Sequence, residues 1–330
     1  PRATSGGAGH RRSVGPRASV QEHRRARPSH LGSFRRYLTD RISSALSPGE
    51  PPERNPRPAL HVRGLRVDGS RLRRYVRATN GDQVARYGTH DLLPPSFPAV
   101  WETAYLLDLL RLAGYPLPLA GLLHLGGERL HLRPLRASEP LDLRMRIVSA
   151  EAIRDSLKIT VVSNALSPVG RLCSESELLL LLRGVRLGGG GGSASRREPA
   201  QREDQEPEQN WIDLCSWELA GDAGRRYAFA SGDVNPIHLS RLTARPFGFK
   251  RPILHGYCTE AMVANALITE ILGSDPTALR RLSIRFTAPL FLPAQVTLRV
   301  DRHGPEARGA FQVVVAGGSR PCAVGEWAGG

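Results

Sequence analysis

A chain of 330 residues with 40% hydrophobic content can hold one large domain or two ordinary ones, each with a real core. Its formal charge of +15 suggests nucleic acid, yet ten arginines before residue 50 face only Glu22 and Asp40, so +8 sits in that leader and +7 in everything after it. The folded part is therefore only moderately basic, which counts against nucleic-acid binding, and no apolar run approaches the roughly 20 residues of a membrane span.

Residues 1–58 are rich in Arg, Ser, Gly and Pro without apolar periodicity, and are expected to be disordered. An Arg-rich, acid-poor leader also has transit-peptide composition, but a solvated tail or an over-extended gene start is the favoured reading, so the cytoplasm is the expected compartment, with the mitochondrial matrix the alternative if the tail is a transit peptide. Only Lys158 and Lys250 are lysines, an arginine bias that fits a GC-rich genome better than a binding role. Cys173, Cys215, Cys258 and Cys322 lie far apart with no paired spacing, which argues against a zinc site or disulfide framework and fits a reducing compartment.

The first ordered half is expected over 59–187. Phe97–Leu112 reads as an apolar helix entered through Pro94, Pro95 and Pro98. Leu130–Leu132, Leu141–Val148, Ser156–Asn164 and Cys173–Leu182 follow with strand lengths and alternation, which predicts an antiparallel sheet. Residues 188–209 open with a run of glycines and continue through mixed charge and proline, a flexible linker. From 210 to 330 the order repeats: a helix at Tyr257–Leu272, then strands at Leu282–Phe286, Gln295–Asp301, Ala310–Val315 and Cys322–Trp327.

Short matches tie the halves together. Pro134-Leu135 and Leu141–Met145 echo Pro289-Leu290 and Val296–Val300 at an offset of 155. Tyr75–Asp82 echoes Tyr227–Asp233, and Pro95 and Ala99 stand where the later copy has Pro252 and Gly256. Three matches in one order indicate a duplicated unit. The copies differ where chemistry is expected: Tyr87 takes the place of His238, and the Asn-Pro and His-Gly pairs are missing from the first half. One active site per chain, carried by the second half, is the expectation.

That site is read in Ser231-Gly232-Asp233-Val234-Asn235-Pro236-Ile237-His238, followed eighteen positions after the histidine by Gly256 at the head of an apolar helix. Asp233 alone reads as a turn residue, and His238 alone as a structural histidine. Together on one loop they form an acid/base pair able to activate water. Pro236 fixes its own φ and biases Asn235 away from helix, which stiffens the loop. A helix start at His255-Gly256 offers free N–H groups and the positive end of a dipole to a developing oxyanion.

This stretch resembles the hydratase-2 signature of the MaoC-like enoyl-thioester hydratases. The resemblance implies an α+β class and a double hotdog, two fused units that each wrap an antiparallel sheet around a long central helix. It implies a hydro-lyase acting on 2-enoyl / (R)-3-hydroxyacyl thioesters, with Asp233 and His238 as the catalytic pair and the Gly256 N–H as oxyanion hole. Asn235, Ser231, Gly232, Pro236 and His255 then support the loop and helix start. The degenerate first half makes room for the acyl chain. Two departures stand out: Ala264 where several relatives have serine, and Tyr257 where methionine is common, which narrows the expected acyl tunnel. Tyr257, Arg241, Lys250 and Arg251 are the candidate substrate contacts, the basic ones for coenzyme A phosphates or an acidic acyl carrier protein. No metal or redox cofactor is implied, and coenzyme A versus carrier protein stays open, as does a homodimer. A non-catalytic acyl-thioester binding module and a hotdog thioesterase are the alternatives.

Overall fold

The computed structural model describes residues 20–24, 58–82, 84, 87, 91–115, 121–183, 210–302, 307–318 and 320–330. Strand β1 (Val20–Arg24) runs parallel to β2 (Ala59–Leu65), which helix α1 (Gly69–Ala78) follows. Helix α2 (Ala99–Leu112) comes next, then β3 (Leu122–His131), β4 (Leu141–Ile153), β5 (Ser156–Leu166) and β6 (Leu172–Arg183). The second half places β7 (Ile212–Leu219), α3 (Ala223–Ser231) and the short α4 (Arg241–Ala244) before helix α5 (Gly256–Glu270). Strands β8 (Leu279–Phe286), β9 (Ala294–Arg302), β10 (Arg308–Val315) and β11 (Pro321–Gly329) complete it.

All the strands join one sheet in the order β1-β2-β4-β5-β6-β3-β8-β11-β10-β9-β7. The joint between the halves is the antiparallel pair β3 and β8, from Gly126 beside Arg285 to Leu130 beside Arg281. Outward from it, β6, β5, β4 and β2 on one side mirror β11, β10, β9 and β7 on the other. Fusion thus satisfies internally the strand edges that separate units would leave bare.

Helices α2 and α5 are apolar on nearly every face, so each must be surrounded. In α5 every residue from Tyr257 to Ile268 is buried. Both helices share one continuous core with the inward side chains of both half-sheets, among them Ile159, Val161, Leu298 and Phe311. This is the double-hotdog architecture that the resemblance implies.

The structure extends or corrects several sequence expectations. The strand expected at Leu130–Leu132 begins at Leu122, because Gly126-Gly127 and the polar Glu128-Arg129 hide its period. Those glycines are required by close approach: a Cβ on Gly126 would lie 2.2 Å from the Ile284 carbonyl oxygen, and one on Gly127 2.0 Å from that of Glu177. Helices α1 and α3 were not expected, since both are short and charged. Strand β1 falls within the leader expected to be disordered, where it covers the otherwise free edge of β2. The rest of that leader to residue 57, and the linker expected at 188–209, lie outside the described residues.

One charged cluster crosses the core. The Arg129 Nε donates to Glu260 on α5 at 2.8 Å, while its terminal nitrogens reach Glu102 on α2 at 3.0 and 3.1 Å and also Ser176. Burial alone would raise the Glu102 carboxyl, but Arg129, Ser176 and Tyr257 outweigh it and hold the group below its usual range. Burial prevails at Glu260, which is pushed up. Replacing Arg129 with Met strands two buried carboxylates, so urea unfolding is expected to show a loss of about 3–5 kcal/mol. Arg281→Ala removes a partly exposed pairing with Glu128 and is expected to cost below about 1 kcal/mol. Equal losses for the two variants would contradict this account.

Candidate active site

The loop after α3 is built by local hydrogen bonds. Gly232 closes the helix in the left-handed region, at φ 86°. Ser231 Oγ donates back to the Tyr227 carbonyl at 2.9 Å and accepts the Asp233 N–H at 3.1 Å. Asp233 Oδ1 accepts the Asn235 N–H at 3.2 Å, and Asn235 Oδ1 in turn accepts the Ile237 N–H at 3.4 Å. Asn235 thereby caps the single 3-10 turn Pro236–His238, whose Pro236 carbonyl accepts from Thr243 Oγ1 at 2.7 Å. Helix α3 lies so close beneath the loop that a Cβ on Gly224 would sit 2.3 Å from the His238 carbonyl oxygen.

These contacts decide the histidine tautomers. His238 Nδ1 lies 2.8 Å from the Ile253 carbonyl, and a carbonyl only accepts, so the proton is on Nδ1 and Nε2 keeps its lone pair. His255 Nε2 meets the Asp233 carbonyl at 3.0 Å by the same logic, which leaves its Nδ1 bare and without a partner. The two rings stack, 3.6 Å between centroids and 24° between planes. Burial pulls the His238 pKa down, with Asp233 only partly offsetting it. At His255 burial and then the neighbouring His238 pull it well down. Both rings are neutral imidazoles near pH 7.

Asp233, His238 and His255 bring ligand-type atoms within 4.8 Å of one another. The pair of stacked rings is ill suited to a metal ion, because their lone pairs lie in nearly parallel planes and do not converge on a point about 2.1 Å from each. The donor set fits acid/base work better than coordination.

Gly256 is the first residue of α5, so its N–H has no acceptor in the preceding turn. A Cβ there would lie 2.7 Å from Phe286 Cε2 and 2.9 Å from His124 Nδ1. Beside it opens a cavity of about 420 Å³. Its lining joins the polar Asp233, Asn235, His238, His255 and Gly256 of the second half to Leu106, Leu107, Leu122, Leu123 and Leu180 of the first. Tyr257 lines the wall, with its hydroxyl donating to Glu102 at 3.0 Å.

The sequence-predicted residues thus divide. Gly232, Asp233, Asn235, Pro236, His238, His255, Gly256 and Tyr257 converge on the cavity, and Ser231 is buried just behind. Arg241, Lys250 and Arg251 are exposed and stand off the cavity wall; Arg251 lies over the Phe291 ring at 5.6 Å. In the first half, Tyr87, the counterpart of His238, donates to Asn265 Oδ1 on α5 at 3.0 Å. Sequence reasoning passed over His124 of β3, which lines the cavity from the other half. Its signal was slight: one imidazole inside an apolar Leu-Leu-His-Leu run.

Comparison with known proteins follows this geometry. The family profile for the MaoC like domain matches residues 199–320. The 3-hydroxyacyl-thioester dehydratase Y of Mycobacterium tuberculosis is 33% identical over 205 residues, covering 60% of this chain and 67% of that protein. The 3-hydroxyacyl-thioester dehydratase X of the same organism is 26% identical over 245 residues, covering 74% of this chain and 80% of that protein. Among solved structures, HtdX of Mycobacterium tuberculosis superposes with a TM-score of 0.65 at 22% identity, over 82% of this chain and 99% of that one. At that identity the likeness speaks for the fold.

The buried neutral histidines carry a stability consequence. His124 is pulled down to about 4 by burial, and His238 and His255 are lowered as well. The unfolded chain takes up these protons near pH 6.5 while the folded chain does not, so their contribution is intact above that value and declines as pH falls towards the folded values. The melting temperature is expected to hold above about pH 6.5 and drop between about 6.5 and 5. A flat profile across that window would contradict the neutral assignment.

Proposed function

The chain belongs to the MaoC-like domain family, and from that premise we propose that it catalyses the reversible hydration of trans-2-enoyl thioesters to (R)-3-hydroxyacyl thioesters. The observation that carries this reading is the convergence of the Asp233 carboxylate and the lone pair of His238 Nε2 on one cavity, beside the first N–H of α5.

In the hydration direction, a water held between Asp233 and His238 gives a proton to Nε2 as its oxygen bonds to C3 of the enoyl group. The electron pair of the double bond moves to C2 and the thioester oxygen, where the Gly256 N–H and the α5 dipole stabilise it. Transfer of that proton from His238 Nε2 to C2 completes the addition and restores the neutral imidazole, and dehydration is the same path reversed. Asp233 takes no proton in this account; it orients the water and offsets the positive charge that gathers on His238. The leucines lining the cavity receive the acyl chain.

A thioesterase of this fold would use a carboxylate on the central helix. Of the two α5 carboxylates, Glu260 is bound to Arg129 at 2.8 Å and Glu270 is the last residue of the helix, and neither is part of the cavity wall, which favours hydration. For the handle of the substrate, Arg241, Lys250 and Arg251 supply exposed positive charge suited to coenzyme A phosphates or to an acidic carrier protein. The four cysteines are free thiols, which supports a reducing compartment such as the cytoplasm. No helix among the described residues is long and apolar enough to cross a membrane.

The test is hydration of crotonyl-coenzyme A, followed as loss of enoyl absorbance. Asp233→Asn and His238→Ala are each expected to lower kcat by about 10²–10⁴-fold. Release of coenzyme A without loss of the double bond would mean a thioesterase instead. Because His238 must be unprotonated to accept a proton and its pKa is lowered, kcat/KM is expected to hold as pH falls past about 6.5 and decline only below it. A decline centred above 6.5 would rule out His238 as the base.

A further inference from the structure

Helix α3 ends at Ser231, directly before the glycine that leads into the Asp233 loop, and its last carbonyls lose their helical partners there. Ser231 Oγ closes on the Tyr227 carbonyl, and the Gly232 N–H closes on that of Ala228 at 2.6 Å. The carbonyls of Ala230 and Ser231 are taken by a residue from the other half of the chain. Arg71 on α1 donates from Nε to the Ala230 carbonyl at 2.9 Å and from Nη2 to the Ser231 carbonyl at 2.6 Å. A basic side chain on the final carbonyls of a helix is a cap, here supplied from 159 and 160 positions away.

Helix α1 presents this arginine through its own construction. Asp68 caps the helix, its Oδ1 accepting the Ser70 N–H at 2.8 Å. Tyr75, one turn on from Arg71 and on the same face, is wholly buried against Tyr227 of α3, with ring centroids 5.9 Å apart. Arg71 is thereby half-buried, while Arg73, Arg74 and Arg77 are exposed. The duplication makes the contact one-way. Aligning Tyr75 with Tyr227 puts Ala223 at the Arg71 position of α3, and the Thr79 carbonyl at the end of α1 is held by Asn265 instead.

The two bonds act on the residue that follows them. Gly232 sits at φ 86°, and a glycine leaves both its dihedrals loose unless its neighbours fix them. The Ser231 carbonyl belongs to the peptide plane shared with Gly232, so a guanidinium fork on it and on the Ala230 carbonyl fixes that plane. Beyond the glycine, the Asp233 N–H is held by Ser231 Oγ at 3.1 Å. Gly232 is thus pinned on both sides, and the Asp233 side chain departs from a fixed point. We infer that Arg71 is a positioning residue for Asp233, a clamp from the first half that sets where the carboxylate stands. This rests on the hydration reading above. Arg71 is no part of the cavity wall, so its effect on the reaction passes through Asp233.

The experiment compares Arg71→Met, which keeps the aliphatic stem without the fork, with Arg71→Lys, which restores one cationic donor. With crotonyl-coenzyme A, Arg71→Met is expected to lower kcat by about 10–10²-fold, the cost of displacing a reacting group by about 1 Å, with KM changed less than about threefold. In an Asp233→Asn background the same change is expected to cost less than about threefold, because the group it positions no longer acts. A methionine variant that melts normally and keeps kcat, a change confined to KM, or an equal loss in the Asp233→Asn background overturns the proposal. Hydrogen exchange supplies a readout independent of turnover. Peptides spanning residues 229–238 are expected to exchange at least about tenfold faster in Arg71→Met, while peptides of α5 keep their wild-type rates. Unchanged exchange over 229–238, or acceleration shared equally by α5, overturns it. Arg71→Lys is expected to fall between wild type and Arg71→Met in both measurements. It stands in if the methionine variant does not fold, and a lysine variant matching wild type in both then overturns the clamp. Wild-type chain that hydrates nothing, with 229–238 loosened by Arg71→Met, would defeat the hydration reading and leave the clamp standing.

Discussion

Arg129 stands out of reach of water between two carboxylates, Glu102 from one central helix and Glu260 from the other. Such an arrangement is tolerable only when every polar atom in it is matched, and Ser176 and Tyr257 supply the remaining contacts. The geometry that follows is tightly determined. Helices α2 and α5 cannot slide past each other without breaking a charge-assisted bond on one side or the other. Tyr257 is tied to Glu102 of the first half, so the residue next to Gly256 takes its position from across the joint. The place where a substrate oxygen would be received is thus set by both copies of the unit.

The duplication has been used unequally. The later copy keeps a loop whose Ser231, Asp233 and Asn235 hold one another's backbone, leaving a carboxylate and an imidazole free to face the cavity. In the earlier copy the same turn ends in Tyr87, whose hydroxyl is spent on Asn265, while the Asn265 amide is spent on the Thr79 carbonyl. These bonds clamp α5 to the turn. Ala99, the counterpart of Gly256, is wholly buried and leaves no opening at the start of α2.

Much of this was legible in the sequence, for physical reasons. The central helices announce themselves because a segment apolar on all faces has to be interior, and α2 and α5 match their expected spans within two residues at each end. The Asp233–His238 loop was legible because its punctuation, Gly-Asp-Val-Asn-Pro, satisfies its own backbone locally. What escaped notice depends on contacts far apart in the chain. Strand β3 hides its length behind two glycines whose need arises only from the strands on either side. Arg129 reads as a surface residue until Glu102 and Glu260, 27 and 131 positions away, close on it. His124 lies in an apolar run with no neighbour in sequence to mark it. The basic residues Arg241, Lys250 and Arg251 were grouped by sequence proximity alone, and exposure places them off the cavity wall.

The joint through β3 and β8 lies within one polypeptide, and that changes how the protein answers to dilution. Where two such units are separate chains, mass action governs their union, and a cavity shared between them empties of partners as concentration falls. Here the second unit is tethered, so its effective concentration beside the first is a property of the chain and not of the solution. A cavity walled by both halves therefore persists at any protein level, however sparse.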